Sequence, residues 1–218
     1  MEWVPAVAAC GISAVLHQLL VVPRLPAPAA EADEPPPDYR ALASTRDALG
    51  VLALSVLAAL LVLPGLPDPQ LISWVGYLGA GAALVWVDLR TTWLPRVLNH
   101  LCLAQVALGV GWVAISDWRG AVAAVIGGLA ALGLFHVVWA LGSGFGYGDV
   151  RLAAIIGVVA GAAGWQQWLM SFLLGTLIGA CWGVVHWLRS RSSGSPPHFA
   201  YGPALWLGPV AAFAISGW

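Results

Sequence analysis

Residues 71–88 read LISWVGYLGAGAALVWVD, an unbroken apolar run that ends in an aspartate. The run from Leu71 to Val87 carries no charge and comes close to the roughly 20 residues that a helix needs to cross a bilayer. An ionisable group at the end of such a run is costly unless it has a function or a partner. The stretch therefore predicts a transmembrane helix that carries a carboxyl group, Asp88, at the membrane boundary.

The composition of the whole chain supports a membrane protein. Of its 218 residues, 60% are hydrophobic and 9% are charged, and the mean hydropathy is +0.85. A soluble domain carries roughly a quarter charged residues. The net charge is −1, the chain has no lysine, and no basic stripe is available to neutralise phosphates. We therefore predict a polytopic protein of the lipid bilayer with no nucleic-acid partner.

Eight segments are apolar enough to be candidate spans. They are Val4–Val22, Leu49–Leu66, Leu71–Val87, Leu98–Ser116, Ala121–Leu141, Val150–Gly164, Gln167–Leu188 and Tyr201–Trp218. The sixth is short and rich in glycine, and the first lacks the basic residues of a cleaved signal peptide. The prediction is an all-α fold, a polytopic transmembrane bundle of about eight helices that forms one domain over residues 1–218.

The charged residues predict the orientation of this bundle. Eight of the nine arginines fall in the loops that follow odd-numbered spans, and only Arg119 lies on the other side. The positive-inside rule places those loops in the cytoplasm and both chain ends outside, in the cell inner membrane. The largest of these loops, residues 23–48, is polar, contains the run Pro35–Pro37 and has no cysteine. We expect it to be an extended loop, with its acidic residues solvated.

Two acidic residues are not explained by solvation. Asp88 and Asp149 lie at the ends of apolar runs, on the same predicted cytoplasmic boundary. Taken singly, Asp149 could cap the helix that follows it, and Asp88 could pair with Arg90 or Arg96. Two such acids on different helices and on one side favour a catalytic pair.

A glycine-rich segment, residues 142–149 (GSGFGYGD), leads into the second aspartate. Glycines let another backbone come close, so Gly144, Gly146 and Gly148 are expected to form an active-site loop beside an extended peptide. A phosphate-binding loop would need a strand before it and Lys-Ser/Thr after it, and neither is present. The histidines and the three cysteines are scattered over different segments, so we predict no metal and no cofactor.

Three motifs resemble the type IV prepilin peptidases, a family of GxGD intramembrane aspartic proteases. Residues 146–152 (GYGDVRL) are similar to the family's GxGD-V-K-L signature, and residues 87–98 (VDLRTTWLPRVL) to its first-aspartate motif. Residues 199–205 (FAYGPAL) resemble the PFGP segment before the last helix. Arg96 stands where the family usually has an acid, and Arg151 where it has lysine.

The resemblance implies that Asp88 and Asp149 are the catalytic aspartates of an endopeptidase. Its substrate would be a prepilin or pseudopilin precursor, cut before its apolar helix at the cytoplasmic membrane face. Full-length members usually have a larger first loop with two CxxC pairs, and they also methylate the new N-terminus. Because loop 23–48 of this chain is short and has no cysteine, we expect no N-methyltransferase activity here. The sequence assigns no substrate-binding residues and no oligomeric state.

Two other functions stay open at this point. A small transporter or channel could use Asp88 and Asp149 as a proton or cation relay, although the internal repeats typical of transporters are not evident. A non-catalytic family member would keep the fold without the chemistry.

Overall fold

The computed structural model describes residues 3–27, 37–142, 146–190 and 200–216, and over these residues the chain is helical with no strand. The all-α bundle of eight helices is confirmed. The helices are α1 (Trp3–Leu16), α2 (Thr45–Val62), α3 (Leu71–Thr91), α4 (Arg96–Ser116), α5 (Trp118–Ala140), α6 (Tyr147–Gly161), α7 (Trp165–Ser190) and α8 (Gly202–Ser216). A π turn and a 3₁₀ turn extend α1 as far as Arg24.

Helix α3, which carries the apolar run 71–87, is the central helix of the bundle. Its most apolar window is 78% buried, against 22–39% for the other five long helices. It packs against α1, α2, α4, α6 and α8. A helix that is apolar on every side is best accommodated in the interior, where each face meets another helix. The residues at its end are therefore positioned by several neighbours at once.

Small residues allow the helices to approach closely. A methyl group added to Gly127 of α5 would lie 2.5 Å from the carbonyl oxygen of Gly157 in α6. One added to Gly175 of α7 would lie 3.0 Å from the carbonyl oxygen of Leu205 in α8. Since lipid supplies no hydrophobic drive between helices, such close backbone packing is a main source of cohesion in a membrane bundle.

Among the described residues, six helical segments are long and apolar enough to cross a membrane, and α6 and α8 are shorter. Each of these two has 15 residues, or about 22 Å, against a hydrocarbon core of about 30 Å. Most of their residues are buried. Protein therefore surrounds most of each short helix, so that it can be accommodated at membrane depth without a full-length span. The short sixth segment was expected from the sequence, whereas the short eighth was not.

Two helix boundaries differ from the sequence prediction in a way that matters for the site. Helix α3 continues to Thr91 and α6 begins at Tyr147, so Asp88 and Asp149 both lie inside helices. The polar residues that adjoin each apolar run thus keep helical backbone geometry. At the end of α3, for example, Thr91 Oγ1 donates to the Val87 carbonyl. Apolar length alone does not reveal this.

The third difference concerns Asp47, which was expected to be a solvated residue of the polar loop. Helix α2 begins at Thr45, and Ser44 is its N-cap, with the Ser44 side chain accepting from the Asp47 N–H. Asp47 is 5% exposed. The Ser44 hydroxyl also donates to the Asp47 carboxyl group, so the cap places Asp47 in the first turn of α2 and not in the polar loop.

Candidate active site

Asp88 lies in the last turn of α3 and is 3% exposed. Its Oδ2 accepts a hydrogen bond of 2.9 Å from the N–H of Gly202, the first residue of α8. Helix α3 then ends because Thr92 adopts a left-handed conformation, with φ 59°, and its N–H donates to the Asp88 carbonyl over 2.6 Å. The carboxyl group of Asp88 is thus held between two helices that are distant in sequence.

Asp149 is the third residue of α6 and is 8% exposed. Gly146 caps this helix, and the Asp149 N–H donates to the Gly146 carbonyl over 3.0 Å. A carboxylate in a first turn interacts favourably with the helix dipole, which is the ordinary explanation for Asp149 taken alone. However, its Oδ1 is buried without a hydrogen-bond partner among the described residues. One oxygen of this carboxyl group is therefore not used in capping.

Leu94 links the surroundings of the two aspartates. Its side chain lies against both glycines that adjoin them. A methyl group added to Gly148 would be 2.5 Å from Leu94 Cβ, and one added to Gly202 would be 3.4 Å from Leu94 Cδ1 and 2.6 Å from Asp88 Oδ2. Asp88 also lies within the electrostatic range of Asp149. The carboxyl groups of α3 and α6 therefore share one small site at the same end of the bundle, closed by the start of α8.

The surroundings of the pair are aromatic and basic. Tyr201 precedes Gly202, and burial, followed by the nearby Asp149 charge, raises the pKa of its phenol from 10.0 to about 12. The phenol is therefore neutral at physiological pH. The Arg151 guanidinium lies 4.7 Å from the centre of the Tyr147 ring and interacts electrostatically with Arg96. Positive charge thus lines the outer edge of the site.

A buried pair of carboxyl groups can do acid–base chemistry without a metal. Like charges held close in a site of low dielectric cannot both ionise easily, so the pair is suited to share one proton. Over the described ranges, no group of three or more metal-ligating side chains occurs. The site thus offers one proton donor and one proton acceptor side by side.

The sequence prediction of site residues can now be compared with their positions. Asp88, Asp149, Gly146 and Gly148 lie together, although Gly148 is helical and not part of a loop. Gly144 lies outside the described residues. Arg90, one suggested partner of Asp88, instead has its Nε 3.5 Å from Asp47 Oδ1.

Two residues at the site were missed as candidates. Gly202 donates the hydrogen bond to Asp88, and Leu94 separates the two glycines. Both belong to segments that had been quoted for their resemblance, Trp-Leu-Pro and Tyr-Gly-Pro. Since both segments adjoin a predicted membrane boundary on the same side as the aspartates, they could have been placed beside the pair.

Comparisons with known proteins identify the family of the chain. The model of the type IV leader peptidase family matches residues 74–184, about half of the chain and a region that includes both aspartates. The chain is 32% identical over 180 residues to a prepilin leader peptidase/N-methyltransferase of Aeromonas salmonicida, covering 76% of this chain and 53% of the relative. No solved structure matches at a comparable level of significance.

Other relatives with the same printed name show similar identity. The Pseudomonas aeruginosa protein is 33% identical over 128 residues, which are 58% of this chain and 37% of the relative. The Burkholderia pseudomallei protein is 32% identical over 152 residues, 66% of this chain and 47% of the relative. The chain thus spans about half the length of the curated relatives it matches. With six helices able to cross a membrane and the family model over its centre, this multi-pass inner-membrane protein belongs to the type IV leader peptidase family.

Proposed function

We propose that the chain is an aspartic endopeptidase that removes the leader peptide from type IV prepilin-like or pseudopilin precursors. The observation that carries the proposal is that two buried aspartates, from α3 and α6, adjoin Gly202 and Gly148, two glycines that both lie against Leu94. Membership in a leader peptidase family gives the reaction class. The paired carboxyl groups supply a general acid and a general base, so that hydrolysis needs no cofactor.

The proposed mechanism uses the pair as a single acid–base unit. The ionised member takes a proton from a bound water, whose oxygen attacks the scissile carbonyl carbon. The protonated member gives its proton to the carbonyl oxygen, which forms a tetrahedral intermediate. When the C–N bond breaks, the leaving amine takes a proton from one member of the pair, and the other member takes a proton from a hydroxyl group of the intermediate as the new carboxyl group forms. The Gly202 N–H holds Asp88 in place, and the unpaired Oδ1 of Asp149 is available to the water.

The substrate has to present an extended segment at this site. A helix hides its carbonyl groups from attack, so the leader just before the apolar helix must unwind locally. The site lies at the end of the bundle where eight of the nine arginines fall in the predicted topology. We accordingly propose that cleavage occurs at the cytoplasmic face of the inner membrane, with both chain termini outside.

We further propose that cleavage proceeds without N-methylation. The relatives are named as both peptidases and N-methyltransferases, but loop 23–48 of this chain contains no cysteine. The three cysteines lie in helices α1, α4 and α7, each free of disulfides. Mass spectrometry of the cleaved product, formed with S-adenosylmethionine present, tests this: the new N-terminus should lack an added methyl group.

Cleavage of a prepilin by the purified protein in detergent or lipid tests the peptidase itself. Asp88→Asn and Asp149→Asn should each lower the rate at least ~100-fold, the size expected from loss of a general acid or base. Asp68→Asn, at an exposed turn outside the pair, is the matched control and should keep the wild-type rate. If either dyad variant processes substrate as fast as the wild type, the aspartic mechanism is wrong. Proton flux in proteoliposomes that both Asn variants abolish, without any cleavage, would favour the relay alternative.

A further inference from the structure

Asp47 is a buried carboxyl group that the proposed mechanism does not use. It lies in the first turn of α2 and is 5% exposed. A buried carboxylate is costly unless it is hydrogen-bonded or paired, so its contacts indicate why it is there. Ser44 Oγ donates to Asp47 Oδ2 over 2.5 Å, which accounts for one oxygen through the helix cap.

The other oxygen of Asp47 is bound by α3. Trp86 Nε1 donates to Asp47 Oδ1 over 3.1 Å, and Arg90 Nε lies 3.5 Å from the same atom. Trp86 is two residues before Asp88 in the sequence and Arg90 is two residues after it. One carboxylate oxygen therefore holds α3 on both sides of the proposed catalytic residue.

The indole ring of Trp86 gives this contact a fixed register. Its six-membered ring lies directly over Gly50 of α2, where an added methyl group would overlap with the ring. The glycine leaves room for the ring, and the Trp86 N–H then reaches Asp47 one turn earlier in α2. The end of α3 can neither rotate nor slide along α2 without losing one of these contacts.

This register matters because the Asp88 carboxyl group is joined to α8 by the hydrogen bond from the Gly202 N–H. Its Oδ2 must reach the Gly202 N–H at 2.9 Å, and a small shift of α3 would break that contact. We propose that Asp47 is a positioning residue: through Trp86 and Arg90 it holds the end of α3, so that the Asp88 carboxyl group meets Gly202 and faces Asp149. The effect of Asp47 on catalysis rests on the proposed peptidase function, whereas its effect on the position of Asp88 does not.

Hydrogen exchange of the Gly202 amide, followed by mass spectrometry on the purified full chain, reports this geometry without any substrate. Asp47→Ala should speed exchange of that amide ~10-fold, because the acceptor Asp88 Oδ2 moves away. Asp47→Asn keeps an oxygen for the Trp86 N–H but loses the ion pair, so it should have a smaller effect, ~2-fold to 3-fold. Asp38→Asn, which alters an exposed acid of the same loop, should leave the exchange unchanged.

Prepilin cleavage by the same variants separates positioning from general destabilisation. Asp47→Ala should lower kcat ~10-fold with KM within ~2-fold, since misplacement of a catalytic group slows the chemical step. Asp47→Asn should recover most of that loss. A purely structural role would instead reduce the amount of folded protein and leave kcat per folded molecule at the wild-type value.

The outcomes are distinguishable from one another. If the wild type cleaves no prepilin, the proposed function fails, and Gly202 exchange still decides the role of Asp47. If exchange in Asp47→Ala equals that of the wild type, the positioning role is overturned whatever the activity. If Asp47→Ala unfolds, so that peptides of α5 also exchange quickly, Trp86→Phe decides instead. That variant keeps an aromatic side chain but removes both the N–H donor and the outer ring atoms that lie over Gly50, and unchanged Gly202 exchange in it would also refute the inference.

Discussion

Replacing Gly202 with alanine should disable the site while leaving the fold intact. The new methyl group would lie 2.6 Å from Asp88 Oδ2 and 3.3 Å from Asp88 Cγ. A carbon and an oxygen in contact normally stay more than 3.0 Å apart. The Asp88 carboxyl group must therefore move away by several tenths of an ångström. It is the free end of a side chain, so relieving the overlap costs little folding free energy beyond that of the hydrogen bond it breaks.

The same movement breaks the hydrogen bond that Asp88 accepts from the Gly202 N–H. A hydrogen bond to a charged group contributes about 1.5–3 kcal/mol. If the transition state loses most of this stabilisation, the cleavage rate should fall about 10-fold to 100-fold, since 1.4 kcal/mol corresponds to a factor of ten. Alanine is also the better helix former by up to about 1 kcal/mol, which offsets any small cost of strain in α8.

Two measurements test this reasoning on one preparation. Prepilin cleavage should slow by the stated factor, while the thermal unfolding midpoint in detergent stays within a few degrees of the wild type. Gly133→Ala is the matched control, because a methyl group at that position in α5 meets nothing within 4 Å. Wild-type cleavage by Gly202→Ala would show that the contact with Asp88 is not needed. A large loss of stability would show that the carboxyl group cannot move aside.

Four further perturbations follow from the surroundings of single residues. Gly109→Ala places a methyl group on the backbone of Ser73, where α4 crosses α3, so it should lower the free energy of unfolding by about 1–3 kcal/mol. Gly111→Ala, with open space around it, should be neutral in the same thermal unfolding assay. Tyr77→Phe removes the hydrogen bond of 2.7 Å to the Trp206 carbonyl and should cost about 0.5–1.5 kcal/mol in chemical denaturation, and a neutral result would mean that this carbonyl finds another donor. Burial, with the Asp149 charge, raises the pKa of Tyr201 to about 12. The difference in tyrosinate absorbance between the wild type and Tyr201→Phe should therefore rise near pH 12. A rise near pH 10 would refute the burial of this phenol.

The sequence was sufficient for the features that depend on the solvent. Apolar length, scarcity of charge and the two isolated aspartates require no knowledge of neighbours, since the bilayer imposes the same cost on every segment. The all-α bundle follows from that cost, and the pair Asp88 and Asp149 could be selected because each lies at the end of an apolar run. The motif resemblance then indicated the family that the comparisons show.

Tertiary structure decided which groups those aspartates touch. Gly202 lies 114 positions from Asp88 in the chain, and Trp86 lies 39 positions from Asp47, so local patterns carry no trace of either hydrogen bond. Asp47 looked like one more solvated acid of a polar loop, and only the packing of α2 on α3 buries it. The physical reason is that membrane insertion depends on each segment separately, whereas the position of a carboxyl group depends on contacts between helices. Small residues such as Gly50 and Gly202 make those contacts possible, and hydropathy carries no signal of them.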